Sequence, residues 1–322
     1  MNEVLKKIDE IGIIPVVKID SPEHALTLGK ALLKGDLPIA EITFRTDAAQ
    51  ESIRILSEEL PELLVGAGTV LNPEQAEQAL KAGASFVVSP GFNEPVVDYC
   101  LQREATVIPG VSGPTQVEQG LYKGLEVLKF FPAQASGGVS FLKSMSSPYG
   151  EVKFIPTGGI NIDNMGEYLE MDKVLAVGGS WMVKSELISG DRFDEISRQS
   201  RAAVMRMLDL SLAHVGMNTG GVDQARGAAQ LFSALFFRPL RETERSIFAG
   251  DALELIKGTG RGEHGHIAIS STNIRRAAAY LKRKGFELDE ENAIVVQGRL
   301  RAVYLRHEIA GFAVHLVDST VS

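Results

Sequence analysis

Eight short apolar, β-prone runs alternate with longer amphipathic stretches between residues 12 and 181. This alternation constrains the fold of the chain more than any other feature. The runs are Gly12–Ile19, Leu37–Phe44, Leu63–Thr69, Phe86–Pro90, Thr106–Val111, Val127–Pro132, Lys153–Gly159 and Lys173–Ser180. The stretches between them have room for helices, among them Pro22–Lys34, Asp47–Leu60, Pro73–Ala82, Glu94–Arg103 and Pro114–Lys123. Apolar strands alternating with helices predict a parallel sheet. Eight such units in roughly 200 residues point to an α/β fold of the (β/α)8 TIM-barrel type. An open doubly wound sheet is the alternative, but no Gly-rich fingerprint follows the first run. Asp191–Leu210 reads as one closing helix, so the first domain is expected to span residues 1–210.

The pattern changes near Ser211, and residues 212–322 hold two similar pieces. The first runs from Leu212-Ala213-His214-Val215-Gly216-Met217-Asn218 through a helical stretch, Gln224–Phe236, to strands ending in Ala252–Ile256. The second runs from Gly265-His266-Ile267-Ala268-Ile269-Ser270 through Ile274–Lys284 to strands ending in Gly311–Val317. This is a βαβββ repeat with a period of roughly 50 residues. Each half alone has too little core, so residues 211–322 are expected to form a smaller α+β domain in which the two halves pair.

The 322 residues, 44% of them hydrophobic, suffice for one large domain and one small one. No apolar run approaches the roughly 18 residues that span a bilayer, and the start of the chain lacks an apolar signal core. A single cysteine, Cys100, excludes an intrachain disulfide, and a cytoplasmic location is expected. Cys100 lies in a helical pattern and reads as a buried structural thiol. A net charge of −8 argues against broad nucleic-acid binding, and no membrane partner is expected.

Lys129 is the most unusual residue of the first domain. It sits inside Val127-Leu128-Lys129-Phe130-Phe131-Pro132, where a buried ammonium is costly unless paired. A desolvated lysine can present a free amine near neutral pH and form a Schiff base with a carbonyl. The alternative is a strand-end lysine that snorkels to water. Active sites of (β/α)8 barrels form at the carboxyl ends of the strands. Glu41, Thr69, Pro90, Lys129, Thr157-Gly158-Gly159 and Gly178-Gly179-Ser180 all fall at such ends. Paired glycines after the last two strands let backbone N–H groups approach a phosphate. A 2-keto acid condensed with Lys129 needs a base at its C4 hydroxyl, for which Glu41 is the candidate. Arg45 could hold the substrate carboxylate. An ion pair between Glu41 and Arg45 is the structural alternative.

Glu41-Ile42-Thr43-Phe44-Arg45-Thr46, Gly66-Ala67-Gly68-Thr69-Val70-Leu71-Asn72-Pro73, Ser89-Pro90-Gly91, Lys129-Phe130-Phe131-Pro132-Ala133, Pro156-Thr157-Gly158-Gly159-Ile160 and Gly178-Gly179-Ser180-Trp181 occur in this order. Together they resemble the 2-keto-3-deoxy-6-phosphogluconate (KDPG) aldolase family over roughly residues 1–210, members of which often also cleave 4-hydroxy-2-oxoglutarate. The resemblance implies a metal-free class I aldolase, usually a homotrimer, acting on a small phosphorylated 2-keto acid. By position, Lys129 would be the Schiff-base lysine and Glu41 the acid/base. Arg45, Thr69 and Pro90 would line the pyruvate pocket with Phe131 beside it, and Gly158, Gly159, Gly179 and Ser180 would bind phosphate. Thr157 and Trp181 favour the gluconate epimer over the galactonate epimer of a sister branch. Lys18 stands in a region where the family often has a basic residue.

His214-Val215-Gly216, Leu253-Glu254-Leu255, Gly265-His266-Ile267-Ala268 and Val314-His315-Leu316 resemble the vicinal-oxygen-chelate, or glyoxalase-like, superfamily. That resemblance implies a divalent metal held by His214, Glu254, His266 and His315. A final carboxylate is commoner in the superfamily than His315. His266 and His315 also alternate with apolar neighbours, as ordinary half-buried strand histidines do. Without metal, the domain would serve oligomer contacts or bind a metabolite. His264 and His307 read as surface residues. Three functions therefore stay open: an aldolase resident in the first domain, a regulatory protein that senses a ligand through the second, and a bifunctional enzyme.

Overall fold

The computed structural model describes residues 1–319. Contacts divide the chain into Met1–Met207 and a second unit from Leu208 onward, three residues before the boundary expected from sequence. The strands of the first unit are β1 (Ile13–Val17), β2 (Ile39–Thr43), β3 (Leu64–Gly68), β4 (Phe86–Val88), β5 (Thr106–Ile108), β6 (Gly110–Val111), β7 (Val127–Phe130), β8 (Lys153–Pro156) and β9 (Val177–Gly179). They form a curled parallel sheet of TIM-like winding. One sheet runs β5-β4-β3-β2-β1-β9 and the other β6-β7-β8. Parallel bridges Phe154–Val174 and Thr157–Gly178 carry the pairing from β8 towards β9.

β5 and β6 are two pieces of one predicted strand, Thr106–Val111, interrupted at Pro109. Proline has no N–H to donate to a ladder. Its carbonyl still accepts from the Lys129 N–H at 2.9 Å, so the break fixes the backbone that carries Lys129. The other predicted strands form in place, each a few residues shorter than the apolar run that marks it.

Local capping sets the helices. Asn2 accepts from Leu5 N at 3.0 Å and starts the helix Glu3–Ile11, which Gly12 ends at φ 77°. Asn72 and Asn93 cap Pro73–Lys81 and Glu94–Leu101, each with proline in the first turn. An Asn cap satisfies an orphan N–H, and proline there loses nothing because its N–H would be unpaired. The helix Gly138–Ser146 was not foreseen, since its start at Gly137-Gly138 reads as a breaker. The closing helix is Phe193–Leu208, a few residues shorter at each end than expected.

The second unit follows the order strand, helix, three strands, twice over. It comprises β10 (Ser211–Asn218), the helix Val222–Phe236, β11 (Leu240–Glu242), β12 (Ser246–Ala249) and β13 (Leu253–Ile256). Then come β14 (Gly265–Ser271), the helix Ile274–Arg283, β15 (Ile294–Val296), β16 (Arg299–Tyr304) and β17 (Phe312–Asp318). All eight strands join one mixed sheet, β11-β12-β13-β10-β14-β17-β16-β15. The halves meet where β10 and β14 run antiparallel, and within each half the first strand runs parallel to the last. Ala225 and Ala229 of the first helix pack with Ile247 and Leu255 of the sheet, with Met217 and Phe232 beside them.

Candidate active site

Lys129 is the third residue of β7, whose four residues are all buried. It is 5% exposed, so it does not snorkel to water. Glu41, on β2, is 2% exposed. Lys129 Nζ lies 3.4 Å from Glu41 Oε1. Two buried charges of opposite sign offset part of each other's desolvation cost. At 3.4 Å the contact is long for a hydrogen bond, so neither group is fully engaged. Glu41 pairs in register with Gly66, and a Cβ on Gly68 would lie 2.1 Å from Glu41 Oε1. The space that Glu41 occupies thus exists because residue 68 has no side chain.

Arg45, just beyond β2, is exposed, and Glu41 faces Lys129 instead; the Glu41–Arg45 ion pair is not formed. Lys18 is engaged with Asp20 at 2.7 Å on the surface. Phe131 is half-buried, its ring centre 5.4 Å from Lys129 Nζ, within cation–π range. Thr69 and Pro90 are half-buried at the ends of β3 and β4, and Thr69 adopts φ 54°. Left-handed backbone is uncommon for a threonine and marks a constrained turn at the strand end.

Gly158 and Gly159 follow β8 with φ 99° and 77°, values at which a Cβ would be strained. A Cβ on Gly158 would also sit 3.2 Å from the Phe131 ring. Thr157 is buried, and Gly178 opposite it leaves room for its hydroxyl, which a Cβ would approach to 2.3 Å. A Cβ on Gly179 would strike the Trp181 ring at 2.0 Å, while Ser180 is exposed. The Gly158-Gly159 turn and the end of β9 at Gly178-Gly179, which is strand rather than the expected turn, bring backbone to the carboxyl end of the sheet, where main-chain N–H groups can meet an anion. Trp181 Nε1 is buried there without a hydrogen-bond partner among the described residues. Cys100 is buried, and burial pushes its thiol up to about 11, as expected of a structural cysteine.

In the second unit the register gathers a cluster on one face of the sheet. Gly216 of β10 pairs with Glu254 of β13 on one side and His266 of β14 on the other. A Cβ on Gly216 would lie 2.1 Å from the His266 ring. His214 is two residues away on the same strand, and Ala268 pairs with both His214 and His315. Alternation of period two puts all these positions on one face. His214 Nε2 and His266 Nε2 are 3.0 Å apart, and they lie 3.3 Å and 3.1 Å from Glu254 Oε2. The side-chain nitrogens of His214, His266 and His315 lie within 4.8 Å of one another.

Burial works to raise the pKa of Glu254. Hydrogen bonds to His214, His266 and Ser246 outweigh it and hold the carboxyl well below its usual range. His315 is pushed down to about 3, first by burial and then by the neighbouring His266 and His214. A neutral imidazole has a free lone pair, the form that ligates a metal. Both ring nitrogens of His315 are buried without a hydrogen-bond partner among the described residues. Sequence reading missed Ser246, which bonds to Glu254, and Tyr304, which stacks on His315 at 4.4 Å. Neither stands beside one of the four metal candidates in the sequence, so the sheet register is what reveals them. His264 and His307 are exposed, as expected.

A buried lysine against a carboxylate, at the carboxyl ends of parallel strands and near the Gly158-Gly159 turn, defines an enzyme site that condenses with carbonyl compounds bearing an anionic group. The comparisons with known proteins agree in class. The chain belongs to the KDPG and KHG aldolase family, whose sequence model matches residues 4–199. It is 43% identical over 201 residues to the 2-dehydro-3-deoxy-phosphogluconate aldolase of Treponema pallidum, covering 62% of this chain and 96% of that one. It is 41% identical over 192 residues to the KHG/KDPG aldolase of Escherichia coli K12, covering 60% and 90% respectively. Among solved structures it resembles the KDPG aldolase of Legionella pneumophila, with pyruvate captured as a covalent carbinolamine. That likeness has a TM-score of 0.61 and 38% identity, covering 63% of this chain and 98% of that one. The Zymomonas mobilis ZM4 enzyme with 3-phosphoglycerate gives a TM-score of 0.58 and 37% identity, covering 62% and 94%.

Proposed function

We propose that this chain is a class I aldolase, a lyase that cleaves 2-keto-3-deoxy-6-phosphogluconate to pyruvate and glyceraldehyde 3-phosphate. It also cleaves 4-hydroxy-2-oxoglutarate to pyruvate and glyoxylate. The observation that carries this reading is the buried Lys129–Glu41 pair at 3.4 Å, in a chain of this family. Lys129 Nζ attacks the C2 carbonyl, giving a carbinolamine that loses water to form an iminium. Glu41, directly or through a water, takes the proton of the C4 hydroxyl as the C3–C4 bond breaks and the aldehyde leaves. The electrons of that bond pass into the iminium as an enamine. Protonation at C3 and hydrolysis then release pyruvate and the free lysine.

In this reading the strands close into a complete (β/α)8 barrel. Thr69, Pro90 and Phe131 shape the pyruvate pocket, and Arg45 turns in from the surface to meet the substrate carboxylate. Gly158, Gly159, Gly179 and Ser180 hold the phosphate, and Thr157 selects the gluconate epimer. The reaction needs no cofactor, and the protein acts in the cytoplasm as a homotrimer. Borohydride reduction in the presence of pyruvate, followed by peptide mass spectrometry, tests the reading: a reduced adduct belongs on the Lys129 peptide. Folded protein without an adduct overturns it.

The histidine cluster supports a second reading for residues 211–322, a glyoxalase-like module that holds a divalent metal at His214, Glu254, His266 and His315. Ligands about 2.0–2.2 Å from one ion lie about 3.0–3.4 Å from one another in tetrahedral or octahedral shells. The His214, His266 and Glu254 atoms are 3.0 to 3.3 Å apart, which fits such a shell. A bound ion there would act as a Lewis acid. The protein's own residues would orient its ligands, with Ser246 fixing the Glu254 carboxylate.

A further inference from the structure

We infer that the donor set of the second unit selects a nitrogen-preferring divalent ion, of the Zn²⁺, Co²⁺ or Ni²⁺ kind, over Mg²⁺ and Ca²⁺, and that His315 is the residue that decides this. The inference rests on the metal-site reading above and goes beyond it to the identity of the ion. Three of the four candidate donors are imidazoles, one each from β10, β14 and β17. Imidazole suits Zn, Ni, Cu and Fe, whereas Mg²⁺ and Ca²⁺ take oxygen ligands almost throughout.

The single carboxylate is restricted as well. Ser246 Oγ occupies Glu254 Oε1, so only Oε2 faces the imidazoles. Glu254 therefore turns one oxygen towards the imidazoles, where a large hard cation favours a bidentate pair. Substituting glutamate for His315 would supply a second carboxylate; the chain has a histidine there.

His315 is also built as a ligand rather than as packing. It is 7% exposed, and neither ring nitrogen has a hydrogen-bond partner among the described residues. A buried polar group without a protein partner fits a role in binding an ion or water. The ring is held on one side by Tyr304, stacked parallel at 4.4 Å and 6°. Arg261 lies over the Tyr304 ring, 4.4 Å from its centre, and is itself anchored to Asp289 at 2.9 Å. On the inner side are the rings of His266, at 5.1 Å, and His214, at 5.9 Å. Such outer contacts fix a ligand's orientation.

The test uses the full-length protein, stripped with chelator and then exposed separately to Zn²⁺, Co²⁺, Mg²⁺ and Ca²⁺. Elemental analysis after gel filtration should find one equivalent of Zn²⁺ or Co²⁺ retained and no retained Mg²⁺ or Ca²⁺. Visible absorption of the Co²⁺ form should report nitrogen-rich coordination. His315→Ala should weaken Zn²⁺ binding by at least the 10–100-fold that loss of an outer partner typically causes. His315→Glu, which keeps a ligand and guards against simple misfolding, should move retention towards Mg²⁺. Equal retention of Mg²⁺ and Zn²⁺ by the unmodified protein would overturn the inference while leaving a metal site in place. So would unchanged Zn²⁺ affinity in a folded His315→Ala protein. Retention of no divalent ion at all would remove the metal reading itself.

Discussion

Lys129 and Glu41 are 88 residues apart in the chain, on β7 and β2, yet Nζ and Oε1 lie 3.4 Å from each other. Neither strand pairs with the other, so the curl of the sheet, not the ladder, brings them together. Replacing Lys129 by alanine removes the amine placed at Glu41. The expected result is loss of aldol cleavage and of the reducible pyruvate adduct. Circular dichroism should show the fold retained, and turnover in a folded Lys129→Ala protein would defeat the Schiff-base mechanism.

Glu41→Gln keeps the shape of the side chain and removes the base. Cleavage should slow by roughly 10²–10⁴-fold, the range for loss of a general base. Borohydride should still trap pyruvate on Lys129, because attack on the carbonyl needs the amine. Failure to trap would assign Glu41 to imine formation as well.

Gly68→Ala tests the space around that carboxylate. Its Cβ would lie 2.1 Å from Glu41 Oε1, so Glu41 must move. Overpacking of this kind costs about 1–3 kcal/mol. A lower melting temperature and a reduced kcat are expected together. A variant with the kcat of the unmodified protein would show that Glu41 has room to shift without consequence.

Removal of divalent metal should separate the two units functionally. Prolonged dialysis against EDTA is expected to leave the cleavage rate unchanged, because Lys129 and Glu41 supply the chemistry. The same treatment of His266→Ala should give the same rate. A rate that falls with chelation and recovers with metal would contradict metal-free catalysis in the first unit.

Cys100 offers a pH test. Burial raises its thiol from an ordinary 9.0 to about 11. Between those values the unfolded chain has lost its proton while the folded chain keeps it. This contribution to stability is therefore complete below about 9 and is lost as pH rises through about 11. A thiol reagent at pH 8 should label native protein slowly and denatured protein at once. Denaturation curves of a Cys100→Ala protein should lack this part of the alkaline decline.

Much of the first unit is legible in sequence because its signals are local. Apolar runs mark the strands, and Asn-Pro pairs mark the starts of Pro73–Lys81 and, one residue displaced, Glu94–Leu101. Lys129 stands out for the same reason, being a charge in an apolar run. What sequence hides is the match between distant positions. Nothing near Gly68 announces Glu41, and nothing near Pro109 announces that its carbonyl will anchor Lys129. The helix Gly138–Ser146 was missed because glycine at a helix start looks like glycine in a loop. In the second unit, the repeat follows from pattern, and the four metal candidates follow from the resemblance that the repeat carries. The Tyr304–His315 stack depends on the pairing of β16 with β17 and is visible only in the sheet.

Four glycines within the strands have an evolutionary consequence. Gly68 is filled by Glu41, Gly178 by Thr157, Gly66 by the ring of Phe86 and Gly216 by the ring of His266. In each pair one residue's side chain occupies the volume that the other lacks. Neither member can drift alone, since enlarging the glycine evicts the partner and shrinking the partner leaves a hole. Such positions should change jointly across relatives or not at all, so the shape of each site is inherited as couples of residues rather than as single ones.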